Sequence, residues 1–246
     1  EMCIRDRFTL SQLNTKKFAS LLMRNKKNGT SVSRFSISLS ELSAQLSSVL
    51  REIDAQRSEE NGGNMKSEDY AWNAHERECY ENGQVSLPSP YKLKILDDGQ
   101  KRLELEQILV QLPQKQLAQW VMEHATRFIA LINIGDDLKK QQILTQVQEV
   151  FEARLEGKVS AYELRKAGFL AQQLSQQAKS PVSKYAARVF AQAIATAHMR
   201  GHAIVSADYA VKVINLQSPD DMQAVVRERK QQIELAKEWQ KSINEM

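Results

Sequence analysis

His198 and His202 stand four residues apart in the sequence Ala197-His-Met-Arg-Gly-His-Ala203. If one helix continues through Gly201, both imidazoles lie one turn apart on one face, where they could share a metal ion. Zinc needs three or four ligands, and the nearest acidic residue along the chain is Asp208. Histidines that hydrogen-bond in a helix interface are therefore the favoured interpretation, and a helical metal-dependent enzyme is the alternative.

Gly201 interrupts a segment rich in alanine. A glycine within a helix costs about 1 kcal/mol relative to alanine. We therefore expect either a bend of the helix at this point or the close approach of another backbone.

Other residues with reactive side chains have simpler explanations. His75 and Cys79 are four residues apart, but a catalytic dyad needs a third group that orients it, so we interpret them as surface residues. Three pairs of acids could suggest a metal-assisted hydrolase, namely Asp97/Asp98, Asp136/Asp137 and Asp220/Asp221. The last two pairs stand at predicted helix starts, where the helix dipole favours acids. The chain has no Gly-rich phosphate loop and no nucleophile elbow. We predict no catalytic residue, no bound metal and no cofactor.

The composition favours an all-α protein. The chain has 246 residues, with only 9 Gly and 5 Pro, and 42% of its residues are hydrophobic. So few helix breakers favour long helices over a sandwich or barrel rich in loops. Two cysteines far apart indicate a reducing compartment, and no apolar run predicts a membrane span or a secretory signal. We expect a cytoplasmic protein that does not bind membranes.

The positive charge is concentrated at the start of the chain. Residues 1–36 contain eight Lys/Arg and two Asp/Glu, which leaves the remainder nearly neutral. A nucleic-acid-binding protein usually places its cations on a folded face, so we predict no nucleic-acid partner. The leader is interpreted as a disordered segment, with an organelle transit peptide as the alternative.

Apolar periodicity and capping signals predict the elements that would position these residues. A helix is predicted over residues 39–53, a linker over 58–64, another helix over 67–81 and an irregular connection over 83–100. Further helices follow, with a capping box at Ser160/Glu163, a start at Ser180-Pro181 and another at Ser218-Pro219. Five aromatic residues fall on helical stripes and are predicted to lie in the core: Trp120, Phe128, Phe151, Phe169 and Phe190.

The segment from Ala161 to Ala210 contains 13 alanines, which allow helix axes to approach closely. We predict an antiparallel multi-helix bundle with Ala-rich helix packing, plus a less ordered N-terminal extension. The predicted organisation is a basic leader over 1–37, a helical extension over 38–110 and a helical domain over 111–246. Gln pairs on the outer faces suit a protein partner, and a homo-oligomer remains open.

Two separate motifs then occur in order: Glu163-Leu-Arg-Lys-Ala-Gly-Phe-Leu-Ala171, and, after Arg188, Ala195-Thr-Ala-His-Met-Arg-Gly-His-Ala203 with Ala207-Asp-Tyr-Ala-Val-Lys212. From about residue 112 to the C-terminus the chain resembles the putative immunity protein family of bacterial polymorphic toxin systems. The sequence departs from the family pattern at Gln172, where the family often has His, and at Gly168, where it has Ala.

The resemblance implies an all-helical protein that binds and neutralises a cognate toxin and has no active site. A helical scaffold or regulatory binding protein is a further alternative, beside the metal-dependent enzyme. The resemblance also implies which residues are partner-binding or structural. By position in the motif these are His198, Arg200, Gly201, His202, Asp208, Tyr209 and Lys212.

Overall fold

A computed structural model describes residues 65–244 of the chain. The predicted basic leader, the helix over 39–53 and the linker over 58–64 lie outside the described residues. Within residues 65–244 the chain forms nine α-helices and no β-strand. In chain order they are α1 (Ser67–Tyr70), α2 (Ala74–Glu81), α3 (Gly99–Leu109), α4 (Gln114–Ile129), α5 (Asp137–Leu155), α6 (Ala161–Gln177), α7 (Pro181–Thr196), α8 (His202–Gln217) and α9 (Met222–Asn244). The prediction of an all-α bundle is confirmed.

Polar side chains at the helix starts explain where several helices begin. The hydroxyl of Ser160 accepts from the backbone N–H of Glu163, whose carboxylate accepts in return from the Ser160 N–H at 2.7 Å. Ser180 caps α7, and Pro181 occupies its first turn. Both starts were predicted from the sequence, because each signal acts within a single turn of helix.

Two predicted boundaries were wrong. The helix predicted over 67–81 is interrupted at residues 71–73, because Asn73 accepts from the N–H groups of His75 and Glu76 and starts a new helix, α2. The last helix starts at Met222, three residues after the predicted Ser218-Pro219 signal. Ser218 ends α8, since its N–H donates to Ile214, and the Asp221 carboxylate accepts from the Ala224 N–H instead.

Helix α7 lies at the centre of the bundle and packs against α4, α6 and α8, while α5 packs on α6 and α9 packs on α3 and α8. Short connections make successive helices from α5 to α8 antiparallel. Except for Ala195, the alanines of α7 and α8 are buried, and side chains this small let packed helix axes lie close together. The core residues from α7 and α8 include Ala186, Ala187, Val189, Phe190, Ala193, Ile194, Ala203, Ala207, Ala210 and Val213.

Phe169 does not lie in the core, although the sequence predicted that it would. Its side chain is 73% exposed. The buried stripe of α6 runs through Leu164, Ala167 and Leu174, and Phe169 falls on the opposite side of the helix. The other four aromatic residues of that prediction are buried, namely Trp120, Phe128, Phe151 and Phe190.

No helix among residues 65–244 combines the length and the apolar character needed to cross a bilayer.

Candidate functional site

The chain turns sharply between α7 and α8. Helix α7 ends at Thr196 and α8 begins at His202, so one helix does not continue through Gly201. His198 therefore lies in the turn and His202 in the first turn of α8. Their rings are still neighbours, with centroids 5.4 Å apart.

The two histidines are partly buried, and both have lowered pKa values. His202 Nδ1 lies 2.6 Å from Gln192 Oε1 on α7, and burial lowers the pKa of His202. Burial also lowers the pKa of His198 to about 4, and the nearby charges of His202, Arg165 and Arg154 act in the same direction. The Nδ1 atom of His198 is buried and has no hydrogen-bond partner among the described residues. Both imidazoles are therefore expected to be neutral at pH 7.

Arg200 is buried and connects this turn to two other parts of the chain. Its guanidinium donates to the carbonyl oxygens of Tyr70 and, at 2.8 Å, Leu109. It also lies 3.8 Å from the centroid of the Tyr70 ring. Arg200 thus fixes the turn against the C-terminal ends of α1 and α3.

The backbone of the same turn is capped by a carboxylate from α2. Glu76 accepts from the N–H groups of Arg200, at 3.0 Å, and Gly201, at 3.2 Å. Burial raises the pKa of Glu76, and these two hydrogen bonds oppose that rise. Gly201 has an ordinary helical φ of −56°, and a Cβ there would lie 4.0 Å from a Glu76 oxygen, which is normal contact.

Asp208 is completely buried between two arginines. Its carboxylate accepts from Arg102 Nε at 3.0 Å and from Arg229 Nη2 at 2.6 Å. Arg229 also donates to Asp97 at 2.9 and 2.6 Å, and Arg102 pairs with Glu106 at 3.2 Å. Burial alone would lower the pKa of Arg229, but the carboxylates of Asp97 and Asp208 outweigh it and raise that pKa. This network joins α3, α8 and α9.

This network removes the third ligand that a metal site would need. The metal-dependent alternative assigned that role to Asp208, whose oxygens bind Arg102 and Arg229 instead. Across residues 65–244, no group of three His, Cys, Asp or Glu side chains is placed to hold a metal ion. His75 and Cys79 do approach each other, with 3.8 Å between Nε2 and Sγ, on a solvent-exposed part of α2.

Two residues of the predicted set lie on a surface cluster. Tyr209 and Lys212 of α8 meet Tyr185 and Arg188 of α7, and all four side chains are partly exposed. The tyrosine ring centroids are 5.9 Å apart. The Arg188 guanidinium lies 5.2 Å from the Tyr185 centroid and 5.6 Å from that of Tyr209, and Lys212 Nζ lies 5.8 Å from the Tyr185 centroid. We call these four residues the tyrosine–cation cluster.

The two α7 residues of this cluster were not predicted from the sequence as site residues. Tyr185 was not singled out, and Arg188 entered only as part of a motif. One signal could have found them: both helices carry a tyrosine followed three residues later by a cation, as Tyr185/Arg188 and Tyr209/Lys212. On a helix that spacing places the two side chains on the same face.

The predicted residues thus separate into two groups. Arg200 and Asp208 are buried and hold helices together, while His198 and Gly201 lie in the turn before α8. Tyr209 and Lys212 lie on the surface cluster, with His202 in the first turn of the same helix.

The sequence model of a family described as Imm-5 like putative immunity protein matches residues 107–239, which include all seven predicted residues. No curated protein matches the chain, and no solved structure matches it.

Proposed function

This chain belongs to the Imm-5 like putative immunity protein family, and we propose that it is a non-enzymatic protein that binds and neutralises a cognate bacterial toxin. The observation that carries the proposal is the match over residues 107–239, more than half of the chain. In this proposal the protein acts by occupying a surface of the toxin, without chemistry of its own, in the cytoplasm of a bacterium that carries a polymorphic toxin system.

The arrangement of the motif residues supports a binding role. The motif places its buried polar residues where they connect helices, as Arg200 does between α1 and α3 and Asp208 does between α3 and α9. Tyr209 and Lys212 of the motif are partly exposed on the surface formed by α7 and α8. Side chains carried on two packed helices lose less conformational entropy on binding than side chains of an unstructured segment, which favours binding.

The test is co-expression of the full chain with the product of the gene immediately upstream in its genome. The proposal expects that the neighbour alone stops growth, that the chain restores growth, and that the two proteins co-purify at equal stoichiometry. The control is the same plasmid with a stop codon early in the reading frame, which should not restore growth.

Two outcomes would contradict the proposal. One is a harmless neighbour that does not co-purify with the chain. The other is rescue of growth without a complex, accompanied by chemical change of the toxin or its product, since that would require an activity in this chain.

A further inference from the structure

We propose that the exposed face of α7 and α8 around the tyrosine–cation cluster binds an acidic segment of the cognate toxin. The proposal rests on the proposed function and adds to it the surface used and the chemistry of the partner.

Helices α7 and α8 and the segment 82–96 carry cations and no exposed acid. Helix α7 contains no Asp or Glu, and the single acid of α8, Asp208, is buried in its pairing with arginines. The connecting segment 82–96 also contains no acid. It lies beside α8, because Asn215 exchanges two hydrogen bonds with the backbone of Leu96.

The cations of this face come from three separate stretches of chain. Lys184 and Arg188 belong to α7, Lys212 to α8, and Lys94 to the connecting segment. The Lys94 carbonyl oxygen lies 3.4 Å from Lys212 Nζ, which places the connecting segment at the rim of the cluster. A set of cations without neighbouring acids produces a positive potential that attracts an acidic partner and speeds its association.

Arg188 lies against two tyrosine rings, and its side chain makes no hydrogen bond within residues 65–244. Its guanidinium lies over both tyrosine rings. Its guanidinium forms no ion pair with a carboxylate of the described residues, in contrast to Arg102 and Arg229. A guanidinium whose plane is fixed by aromatic rings presents its N–H groups in a geometry that fits a carboxylate with two hydrogen bonds.

The stacking argues for a protein partner over a nucleic acid. Single-stranded nucleic acids gain affinity by stacking bases on exposed aromatic faces. Here Arg188 lies over Tyr185 and Tyr209, and Lys212 also lies over Tyr185, so cations occupy ring faces that a base would need. The edge of the guanidinium remains available for a carboxylate.

The first experiment uses charge reversal in the co-expression assay. The double variant Arg188→Glu/Lys212→Glu should lose rescue and co-purification. The matched control is Lys115→Glu/Lys166→Glu, which makes the same change in net charge at two exposed lysines on α4 and α6. Lys166 also lies over a tyrosine, Tyr162, at 4.5 Å, so the control disrupts the same kind of pair elsewhere on the surface. Thermal unfolding of all the variants verifies that they fold.

The second experiment does not depend on the identity of the toxin. Fluorescence anisotropy with the full chain measures binding of a labelled glutamate-rich peptide of about twelve residues and, separately, of a labelled single-stranded oligonucleotide of about 20 nucleotides. We expect the peptide to bind, with its affinity lowered at least tenfold by Arg188→Glu/Lys212→Glu and changed less than threefold by the control pair. Arg188→Gln removes one charge without reversing it and should give an intermediate loss of peptide affinity. It replaces the double variant in the test if the double variant does not fold.

The outcomes separate this proposal from the proposed function. If the wild-type chain rescues growth and Arg188→Glu/Lys212→Glu rescues equally well, the surface assignment is wrong while the immunity role stands. If the wild-type chain does not rescue growth, the product of the upstream gene is not its partner, whether or not the glutamate-rich peptide binds. Tighter binding of the oligonucleotide at the same face, lost in the same variants, would overturn the acidic protein partner.

Discussion

Asp208 of α8 and Arg229 of α9 form an ion pair in which Nη2 and Oδ1 are 2.6 Å apart and neither side chain reaches solvent. The Asp208 carboxylate also accepts from Arg102 of α3, so it joins α8 and α9 to a helix that lies 106 residues earlier in the chain. A motif acid that could have been a metal ligand or a partner contact is instead part of the interior.

Asp208→Asn should therefore destabilise the fold strongly. The change keeps the shape of the side chain but leaves Arg102 and Arg229 with less compensating negative charge inside the protein. Removing one member of a buried ion pair typically costs about 3–5 kcal/mol. Urea unfolding followed by circular dichroism measures the loss. Asp137→Asn is the control, because that side chain is 91% exposed and its ion pair should contribute less than about 1 kcal/mol. A loss below about 1 kcal/mol for Asp208→Asn would contradict the structural role.

Arg200→Met should loosen the contact of the α7–α8 turn with α1 and α3. Methionine preserves most of the apolar volume, but the carbonyl oxygens of Tyr70 and Leu109 lose a charged donor. Hydrogen bonds from charged groups contribute about 1.5–3 kcal/mol each, and we expect a loss of about 3 kcal/mol in the free energy of unfolding. Limited proteolysis should also cut the segment 71–98 faster. Arg227→Met, at an exposed position of α9, should change neither measurement, and equal proteolysis of both variants would refute the prediction.

His198 should titrate near pH 4. Burial and the neighbouring charges of His202, Arg165 and Arg154 lower its pKa from 6.5 to about 4. NMR titration of the imidazole signals measures this pKa, and His198→Gln identifies the resonance by its disappearance. Because the folded-state pKa is lower than the unfolded-state value, the unfolded chain takes up a proton first as the pH falls from about 6.5 to about 4. Stability should decrease over that range, and it should decrease less in His198→Gln. A measured pKa of 6 or above would show that the His198 side chain is not buried as described.

Gly168→Ala should stabilise the protein. Gly168 lies inside α6, no atom lies within 4 Å of the position that a Cβ would occupy, and its φ is not in the left-handed region. Alanine in a helix interior is more favourable than glycine by about 0.8–1.0 kcal/mol, so the melting temperature should rise by a few degrees. Gly135→Ala should have the opposite sign, because Gly135 has φ +79° and its Cβ would lie 2.8 Å from Lys179 Cε. A decrease in stability for Gly168→Ala would mean that α6 does not pack as described.

The sequence by itself was enough for features that depend on residues close together in the chain. The scarcity of Gly and Pro, the apolar periodicity and the capping signals at Ser160 and Ser180 predicted an all-α bundle and two of its helix starts. These signals act over one or two turns of helix, so they can be recognised without a fold. The motifs around His198 and Tyr209 also carried the family resemblance, which the match over residues 107–239 supports.

Which side chains meet and which stay exposed depends on how the helices pack. Asp208 pairs with Arg102 across 106 residues, and Arg200 binds Tyr70 across 130. The exposure of Phe169 depends on which face of α6 its neighbours cover. The cations around the tyrosine–cation cluster come together only when α7, α8 and the segment 82–96 pack side by side, although the chain after residue 36 is nearly neutral in net charge. Such pairings depend on how helices pack, and packing is set by contacts between residues far apart in the chain, which local periodicity does not encode.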